Sequence, residues 1–220
     1  MQHAVITGAN RGIGLELCRQ LAGSGWSVTA LCRRSTPELR ALPLQISEDF
    51  DVTDETALDD FAAGLAPASV DLLINNAGIL DATSLDHLDS DAIRRQFEVN
   101  ALGPLRVTSA LLPALAGNSK VALISSRMGS IADNTSGGSY GYRMSKAALN
   151  AAGKSLALDL AGCGISVAVL HPGYVRTDMT GQQGLIEVAE SAAGLIQRIN
   201  ELTPATSGTF WHSNGEILPW

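Results

Sequence analysis

A tyrosine and a lysine four residues apart carry the clearest chemical signal in the chain. Tyr142 and Lys146 lie in the stretch GYRMSKAALN, and in a helix this spacing places both side chains on one face. The ammonium charge favours the tyrosinate and lowers the pKa of the phenol from about 10, which makes the phenol a proton donor. Tyr140 lacks such a partner because Met144 stands four residues after it. The pair predicts acid–base chemistry at Tyr142, and an ordinary pair on a helix surface is the alternative.

A glycine-rich turn near the start of the chain could bind phosphate groups. In TGANRGIG, the glycines at 8, 12 and 14 follow a strand-like run and open a helical pattern. Glycine allows a sharp turn and a close approach to a pyrophosphate, and the N–H groups at a helix start attract its charge. The spacing Gly-x-x-x-Gly-x-Gly differs from the general Gly-x-Gly-x-x-Gly fingerprint, and a turn without ligand is the alternative. The expected dinucleotide-binding residues are Gly8, Asn10, Arg11, Gly12, Ile13 and Gly14.

The residues after the second predicted strand favour NADP over NAD. An NAD site commonly has an acidic residue about 20 positions after the glycine turn, to bond the ribose 2′-hydroxyl. Here Cys32 is followed by Arg33 and Arg34, and Arg11 adds another guanidinium on the same side. A charge-assisted hydrogen bond to a 2′-phosphate is worth roughly 1.5–3 kcal/mol. We therefore expect NADP(H) as cofactor, with solvated surface arginines as the alternative.

Composition indicates a compact globular protein and excludes several classes. The chain has 220 residues with 45% hydrophobic and 17% charged residues, and a net charge of −7. Its 12 arginines and 3 lysines form no basic run, so we expect no nucleic-acid partner. No apolar stretch is long enough for a membrane span, and the start lacks the pattern of a signal peptide. The odd set of Cys18, Cys32 and Cys163 predicts reduced thiols and a cytoplasmic location, and we predict no metal site.

Short apolar runs alternate with longer helical patterns along the whole chain. Continuous Val/Ile/Leu strands with helices between them are typical of a parallel sheet covered on both faces. We predict an α/β fold: a single doubly wound Rossmann-type domain, with a seven-stranded, largely parallel sheet in the order 3-2-1-4-5-6-7. The predicted strands are 3–7, 26–32, one within 44–51, 70–75, 120–126, 165–170 and 209–211. The predicted helices are 12–24, 37–41, 53–64 with Thr53 as N-cap, 90–116 interrupted at Pro104, 142–161 and 187–200.

Further motifs follow one another in order along the chain. They are Asp51-Val52, Asn75-Asn76-Ala77-Gly78, Asn100, Ser125-Ser126, Tyr142 with Lys146, and the stretch HPGYVRT at 171–177. Together with TGANRGIG they resemble the motifs of the short-chain dehydrogenase/reductase family. Within it, GANRGIGLEL, NTSGGSYGYRMSKAALN and the ending GTFWHSNGEILPW are similar to the branch of C-factor and sniffer-type carbonyl reductases.

The resemblance implies a catalytic role for four residues. Tyr142 would be the general acid for carbonyl reduction, and Lys146 would bond the nicotinamide ribose and keep the phenol's pKa low. Ser126 would hold the substrate oxygen, with Ser125 as a rival for that role. Asn100 would help to order a water that leads to Lys146, or would be an ordinary hydrogen-bonding residue of its helix.

The resemblance also implies cofactor contacts beyond the glycine turn. Asp51 and Val52 would touch the adenine, and the stretch after the fourth strand would close over the adenine ribose and brace the sheet. The loop after the sixth strand would hold the nicotinamide carboxamide. The residues implied are Asp51, Val52, Asn76, Ala77, Gly78, Pro172, Gly173, Val175 and Thr177, together with Tyr142 and Lys146.

Two departures from the family pattern concern the substrate side. Ser126 precedes Tyr142 by 16 residues, more than the spacing of about 13 that the resemblance implies. The stretch 178–184 predicts a mobile lid with glycine hinges, within a lid segment of about 178–205. The short lid suggests an open, unselective site for a small or flat carbonyl compound, with Arg127, Met128, Tyr174 and Met179 as candidate walls.

The expected function is NADPH-dependent reduction of a ketone, aldehyde or quinone to an alcohol. The alternative is a nucleotide-bound signalling protein of the C-factor type with little turnover. We also expect a homodimer that pairs through the helix of Tyr142 and Lys146. Its small residues, Ala147, Ala148, Ala151, Ala152 and Ser155, permit close helix packing, although they could equally pack against the chain's own sheet.

Overall fold

Seven parallel strands form the centre of the molecule, in the order β3-β2-β1-β4-β5-β6-β7. All six strand pairs in this computed structural model, which describes residues 1–220, are parallel. The predicted fold class and strand order are therefore confirmed. The strands are β1 (His3–Thr7), β2 (Ser27–Leu31), β3 (Gln45–Ser47), β4 (Val70–Asn75), β5 (Leu115–Ile124), β6 (Ser166–His171) and β7 (Thr209–His212).

Helices cover both faces of this sheet. Alternate residues of a strand point to opposite faces, and in β1 Val5 joins one apolar cluster while Ile6 joins the other. The first cluster includes side chains from α3, α5 and α6, and the second includes side chains from α1, α2 and α7. The helices are α1 (Gly12–Gly23), α2 (Pro37–Arg40), α3 (Glu55–Ala63), α4 (Ser90–Phe97), α5 (Gly103–Leu111), α6 (Tyr140–Asp159) and α7 (Val188–Glu201).

The N-cap of α3 is Asp54, so the prediction of Thr53 is wrong. The Asp54 carboxylate accepts from Thr56 N and Ala57 N. The Thr53 hydroxyl is engaged elsewhere, because it donates to Asp51 Oδ1 at 2.8 Å, and Thr53 N donates to the same oxygen at 2.9 Å. The Asp54 carboxylate, one residue later, is an equally good cap. It caps the helix because the Thr53 hydroxyl is already hydrogen-bonded to Asp51.

The long helical region after β4 is broken before the proline that predicted its interruption. A π-helical turn, Glu98–Leu102, separates α4 from α5, and Pro104 lies in the first turn of α5, where no N–H is needed. The region also ends earlier than the predicted residue 116. Pro113 lies in a short 3₁₀ turn, Leu112–Ala114, and β5 begins at Leu115.

The predicted lid segment, about 178–205, is largely helical. It starts with a 3₁₀ turn, Asp178–Thr180, and then contains α7, whose Ala192 and Leu195 are fully buried and belong to the cluster that includes α1. Only the stretch before α7 is therefore a candidate for lid movement. No helix of the molecule is both long and apolar enough to cross a bilayer.

Candidate active site

A cleft of about 240 Å³ opens at the carboxyl ends of the strands. It lies where the strand order reverses, since β1 pairs with β2 on one side and β4 on the other, and ligands of doubly wound sheets bind at this point. The residues that line it are Gly8, Asn10, Arg11, Gly12, Ile13, Gly14, Cys32, Arg33, Phe50, Asp51, Val52, Asn76, Ala77, Gly78, Ile79, Val99, Ile124, Ser125, Tyr142, Lys146, Pro172, Thr177, Asp178 and Met179. Most residues predicted to bind the cofactor are thus brought together, and their roles stay predictions.

Gly8 and Gly14, in the turn between β1 and α1, have no room for side chains. Gly8 adopts φ +64°, and a Cβ there would lie 2.8 Å from Ala77 Cα. A Cβ at Gly14 would overlap the main-chain oxygen of Gly8 and lie 2.5 Å from Asn76 Nδ2. The turn is therefore packed against the end of β4, with its backbone directed to the cleft at the start of α1.

Polar side chains fasten this turn to the end of β4. Asn76 Nδ2 donates to Thr7 O at 3.1 Å and to Gly8 O at 3.0 Å. In return Thr7 Oγ1 accepts from Asn76 N at 3.0 Å and from Ala77 N at 3.1 Å. These contacts show the expected bracing of the sheet by Asn76. Sequence reasoning did not assign a role to Thr7, although its place before Gly8 was the available signal.

Tyr142 and Lys146 both face the cleft from the buried side of α6. Lys146 Nζ lies 5.8 Å from the Tyr142 ring centroid and donates to Ile124 O at 2.8 Å. The tyrosine is 8% exposed and the lysine 4%. A pair this deeply buried is not an ordinary helix-surface pair, so the predicted geometry holds and that alternative falls away.

The expected low pKa of Tyr142 is not found in the protein alone. Burial raises the pKa of the Tyr142 phenol, and the Ser126 hydroxyl offsets only part of that rise. Burial also lowers the pKa of Lys146 to about 8. The ammonium charge by itself would lower the pKa of the phenol, but the loss of water around both groups disfavours both charged forms and outweighs that effect here.

The two candidate serines have different partners. Ser125 Oγ donates to Asn150 Oδ1 at 2.5 Å, and both residues are buried. Ser126 Oγ accepts from Met128 N at 3.2 Å, and its hydroxyl lowers the pKa of the Tyr142 phenol. Ser125 rather than Ser126 borders the main cleft, but its hydroxyl is committed to α6. The predicted role of Ser126 at the substrate oxygen stays a prediction.

Asn100 lies in the π-helical turn and is fully buried. Its Oδ1 accepts from Ile79 N and its Nδ2 donates to Ile79 O, both at 2.8 Å, and Nδ2 also donates to Ser145 Oγ at 3.0 Å. The side chain thus joins the end of β4 to α6. A Cβ at Gly78 would lie 3.3 Å from Asn100 Oδ1 and 3.6 Å from Lys146 Nζ, so glycine keeps the space between these two residues open.

The predicted 2′-phosphate side forms a second, shallow depression lined by Asn10, Arg33, Arg34 and Asp49. Arg34 lies only here, whereas Arg33 borders the main cleft as well. Asn10 Nδ2 donates to Arg34 O at 2.9 Å, which ties the glycine turn to this corner. Asp49 is a carboxylate that the sequence argument did not place beside the arginines. Neither Arg33 nor Arg34 forms an ion pair, so both guanidinium charges remain available.

Arg11, expected to add a further guanidinium for the 2′-phosphate, is instead paired with a carboxylate. Its Nη1 forms an ion pair with Asp178 Oδ2 at 3.2 Å across the mouth of the cleft, and both side chains are largely exposed. Arg11 therefore connects the glycine turn with the loop after β6. The contact joins residues 167 positions apart, which no local pattern could indicate.

The loop after β6 places only part of its predicted residues in the cleft. Pro172 and Thr177 line it, whereas Gly173 and Val175 are buried behind it. Gly173 adopts φ +92°, and a Cβ there would lie 2.6 Å from Ile186 Cδ1. Val175 forms a parallel bridge with Ile186. These two residues shape the loop that carries Thr177.

Apolar side chains that sequence reasoning missed complete the cleft walls. Phe50 and Val99 are examples, and among the four candidate substrate walls only Met179 borders the main cleft. Arg127, Met128 and Tyr174 lie outside its lining. Phe50 precedes Asp51 directly and Val99 precedes Asn100, so adjacency to a motif was the signal that could have found them.

The chain belongs to the short-chain dehydrogenase family. The family model for short chain dehydrogenases matches residues 2–186, which agrees with the fold, the glycine turn and the Tyr142–Lys146 pair. The family predicted from the motifs is thereby confirmed.

Two relatives and two solved structures show which members of the family this chain is similar to. The 1-hydroxy-2-glutathionyl-2-methyl-3-butene dehydrogenase of Rhodococcus sp. strain AD45 is 42% identical and covers 100% of both chains. The C-signal protein of Myxococcus xanthus is 46% identical over 73% of this chain and 98% of its own. The carbonyl reductase Sniffer of D. melanogaster superposes with a TM-score of 0.94 at 31% identity, covering 100% of both chains. An NADPH-bound carbonyl reductase from chicken fatty liver gives 0.89 at 30% identity, over 100% of this chain and 99% of that one.

Proposed function

We propose that the protein is an NADPH-dependent reductase of small carbonyl compounds, with Tyr142 as proton donor. The observation that carries the proposal is the buried Tyr142–Lys146 pair on the same cleft as the glycine turn. Similarity to carbonyl reductases, one of them with bound NADPH, supports the same reaction class.

The cleft fits a dinucleotide on the geometry of its own residues. Gly8, Gly12 and Gly14 border the cleft, and the start of α1 offers N–H groups to phosphates. Arg33 and Arg34 have no acidic partner and can hold a 2′-phosphate. When bound, NADPH would supply the hydride.

In the proposed reaction, the protein's own residues stabilise the carbonyl oxygen of the substrate and supply its proton. Negative charge develops on the carbonyl oxygen during reduction, and hydroxyl donors at that position stabilise it. Ser126 donates a hydrogen bond to this oxygen, and Tyr142 donates first a hydrogen bond and then its proton. Because burial raises the pKa of Tyr142, the phenol carries its proton at neutral pH, as reduction requires. Lys146 would hold the ribose of bound NADPH, and its ammonium group would return a proton to Tyr142 after the reaction.

The decisive experiment follows NADPH absorbance with a panel of quinones, diketones, aldehydes and ketones. Tyr142→Phe should lower kcat by roughly 10²–10⁴-fold while NADPH still binds. Tyr140→Phe is the matched control, because this neighbouring tyrosine is 38% exposed and has no lysine partner, and it should keep full activity. Unchanged turnover in Tyr142→Phe would remove Tyr142 from the mechanism.

Cofactor preference has a test of its own. The double variant Arg33→Ala/Arg34→Ala should weaken NADPH binding by about 10-fold or more, since each charge-assisted bond is worth roughly 1.5–3 kcal/mol, and leave NADH binding unchanged. Titration of both cofactors measures this. Equal wild-type affinities for NADPH and NADH would contradict the preference.

A signalling role is the second candidate, supported by the 46% identity to C-signal. A regulator needs the nucleotide cleft but has no chemical need for the buried Ser126, Tyr142 and Lys146 together. Tight NADPH binding without turnover on the whole panel would favour this role. Turnover abolished by Tyr142→Phe would favour the reductase.

A cytoplasmic location and a homodimer complete the proposal. The location is inferred from the cysteines, of which Cys18 and Cys32 are buried. The dimer is supported by the outer face of α6, where Ala151 and Ser155 are exposed rather than packed against the chain's own sheet.

A further inference from the structure

The stretch between Ser126 and Tyr142 is held on its inner side by α6. We name residues 127–139 the serine loop. Arg143 donates to Met128 O at 3.4 Å, to Ser136 Oγ at 2.8 Å and to Gly137 O at 3.2 Å. A Cβ at Gly129 would lie 2.7 Å from the carbonyl carbon of Lys146. These contacts fix the parts of the loop closest to the proposed catalytic helix.

The outer side of the serine loop is held by the segment 213–220, which follows β7. Arg127 Nη2 forms an ion pair with Glu216 Oε2 at 2.6 Å, and Arg127 Nε lies 3.4 Å from Asp133 Oδ2. Ala132 N donates to the main-chain oxygen of Trp220 at 2.9 Å. One side-chain ion pair and one main-chain hydrogen bond thus cross from the segment to the loop.

The segment 213–220 is itself anchored to the sheet. Leu218 N donates to Phe210 O and His212 N donates to Glu216 O, both at 2.8 Å. The Trp220 ring stacks on Phe210 with centroids 5.4 Å apart, and Phe210 is 1% exposed. The position of Glu216 is therefore set by the core and not by the loop that it contacts.

Arg127 connects the anchored segment 213–220 to the proposed catalytic serine. It follows Ser126 in the chain, and the two residues belong to one capped turn, in which Ser126 Oγ accepts from Met128 N. A change in the backbone at Arg127 changes where the Ser126 hydroxyl points. The spacing between Ser126 and Tyr142 is long, and because a longer loop has more conformations to lose, an external anchor helps to order it.

We infer that Glu216 and Arg127 are positioning residues that aim Ser126 at the substrate oxygen, an inference that rests on the proposed carbonyl reduction. Neither side chain borders the main cleft, so they act through Ser126 and not by contact with substrate. The segment 213–220 thus supports the serine loop from outside the cleft, on the side opposite α6.

The test uses full-length Glu216→Gln, Arg127→Met and their double variant. Each single variant should lower kcat/KM for the carbonyl by about two- to fivefold, the range of an exposed ion pair, with the dissociation constant for NADPH unchanged. The double variant should be no worse than the worse single one, since one contact is lost in all three. Glu216→Asp should recover most of the activity because the charge is kept.

Two controls separate positioning from general destabilisation. Asp91→Asn removes an ion pair of similar length, 2.7 Å to Arg94 on α4, and should leave kcat/KM unchanged. In a Ser126→Ala background, Glu216→Gln should have no further effect. A loss that persists in this background, or additive losses in the double variant, would overturn the inference.

A readout without turnover keeps the inference separate from the proposed function. Hydrogen–deuterium exchange of the serine loop should increase in Glu216→Gln and Arg127→Met and stay unchanged in Asp91→Asn. If the wild type reduces no carbonyl but this change occurs, the reductase proposal fails while the anchoring of the loop stands. Unchanged hydrogen–deuterium exchange in both variants would show that Glu216 and Arg127 do not anchor the serine loop.

Discussion

Burial sets the protonation of both groups in the Tyr142–Lys146 pair. It raises the pKa of the phenol and lowers that of the ammonium to about 8, because each charged form loses water on folding. The neutral phenol suits the proposed reduction, in which Tyr142 would give up a proton. The reverse reaction needs the tyrosinate, so the two directions should respond oppositely to pH.

The direction of the reaction should therefore depend on pH. Reduction requires the protonated phenol and should show no loss of rate between pH 6 and pH 8, whereas alcohol oxidation with NADP⁺ should accelerate as the pH rises. Initial rates in both directions across this range provide the measurement. An oxidation rate independent of pH would show that deprotonation of Tyr142 does not limit that direction.

Lys146 should give the cofactor-free protein an unusual dependence of stability on pH. Its folded pKa of about 8 lies below its ordinary value of 10.5, so between these values the unfolded chain binds more protons and stability rises with pH. Relative to Lys146→Met, the wild type should gain up to about 3 kcal/mol across this window. Urea unfolding of both proteins at pH 7, 8, 9 and 10 measures the difference. Parallel stability curves would contradict the depressed pKa.

The neighbouring serines offer a matched pair of substitutions. Ser126→Ala removes the proposed donor to the substrate oxygen and should lower kcat by roughly 10²–10³-fold, with little effect on unfolding. Ser125→Ala leaves Asn150 Oδ1 without its donor and should cost about 1–3 kcal/mol of stability, with a smaller effect on kcat. The reverse pattern in kinetics and urea unfolding would exchange the roles of the two residues.

At the scale of elements, the turn between β1 and α1 is constrained by what it touches. Gly14 packs against Gly8 O and Asn76 Nδ2 with no space for a methyl group. Gly23, at the other end of α1, has no atom near its missing Cβ. The same substitution at the two ends of one helix should therefore have opposite effects.

Gly14→Ala should destabilise the fold by about 1–3 kcal/mol through overpacking and weaken NADPH binding by displacing the turn. Gly23→Ala should stabilise it by about 0.5–1 kcal/mol, because alanine loses less entropy in a helix. Thermal unfolding and cofactor titration measure both. Equal effects of the two substitutions would show that the turn tolerates a side chain.

The sequence predicts the elements well because their signals are local. Runs such as AVIT in β1 are apolar on both faces, which indicates a strand buried between layers of helices. The π-helical turn at Glu98–Leu102 has no such signal, since the side chain of Asn100 bonds to Ile79, 21 positions away. The cap of α3 was missed for a similar reason, because Thr53 and Asp54 are both good caps and only the contact with Asp51 separates them.

In the candidate site, too, some features have local sequence signals and others depend on tertiary contacts. Spacing alone indicates the Tyr142–Lys146 pair and the glycine turn, which the structure brings to one cleft. The raised pKa of Tyr142 depends on burial, and the pairing of Arg11 with Asp178 depends on the tertiary fold. Neither property is encoded in a short stretch of residues.

At the scale of the whole molecule, the outer face of α6 is left without a cover. Ala151 and Ser155 are exposed there, and Leu158, at 68% exposed, lies one helical turn further on. Small residues allow two helices to approach closely, and a pair of α6 helices related by a two-fold axis would bury this face. Because Tyr142 and Lys146 project from the opposite side of α6, such a dimer would stiffen the helix that carries the acid.

Ala151→Arg should therefore separate the proposed dimer into single chains. A long charged side chain cannot fit between closely packed helices, yet at an exposed helix position it barely changes the stability of one chain. Gln197→Arg is the control, since it adds the same charge to an exposed site on α7, across the sheet. Light scattering should give the wild type and the control about twice the chain mass of 22.9 kDa, and Ala151→Arg the mass of one chain. A wild type of single-chain mass, or a dimer that survives Ala151→Arg, would place the interface elsewhere or remove it.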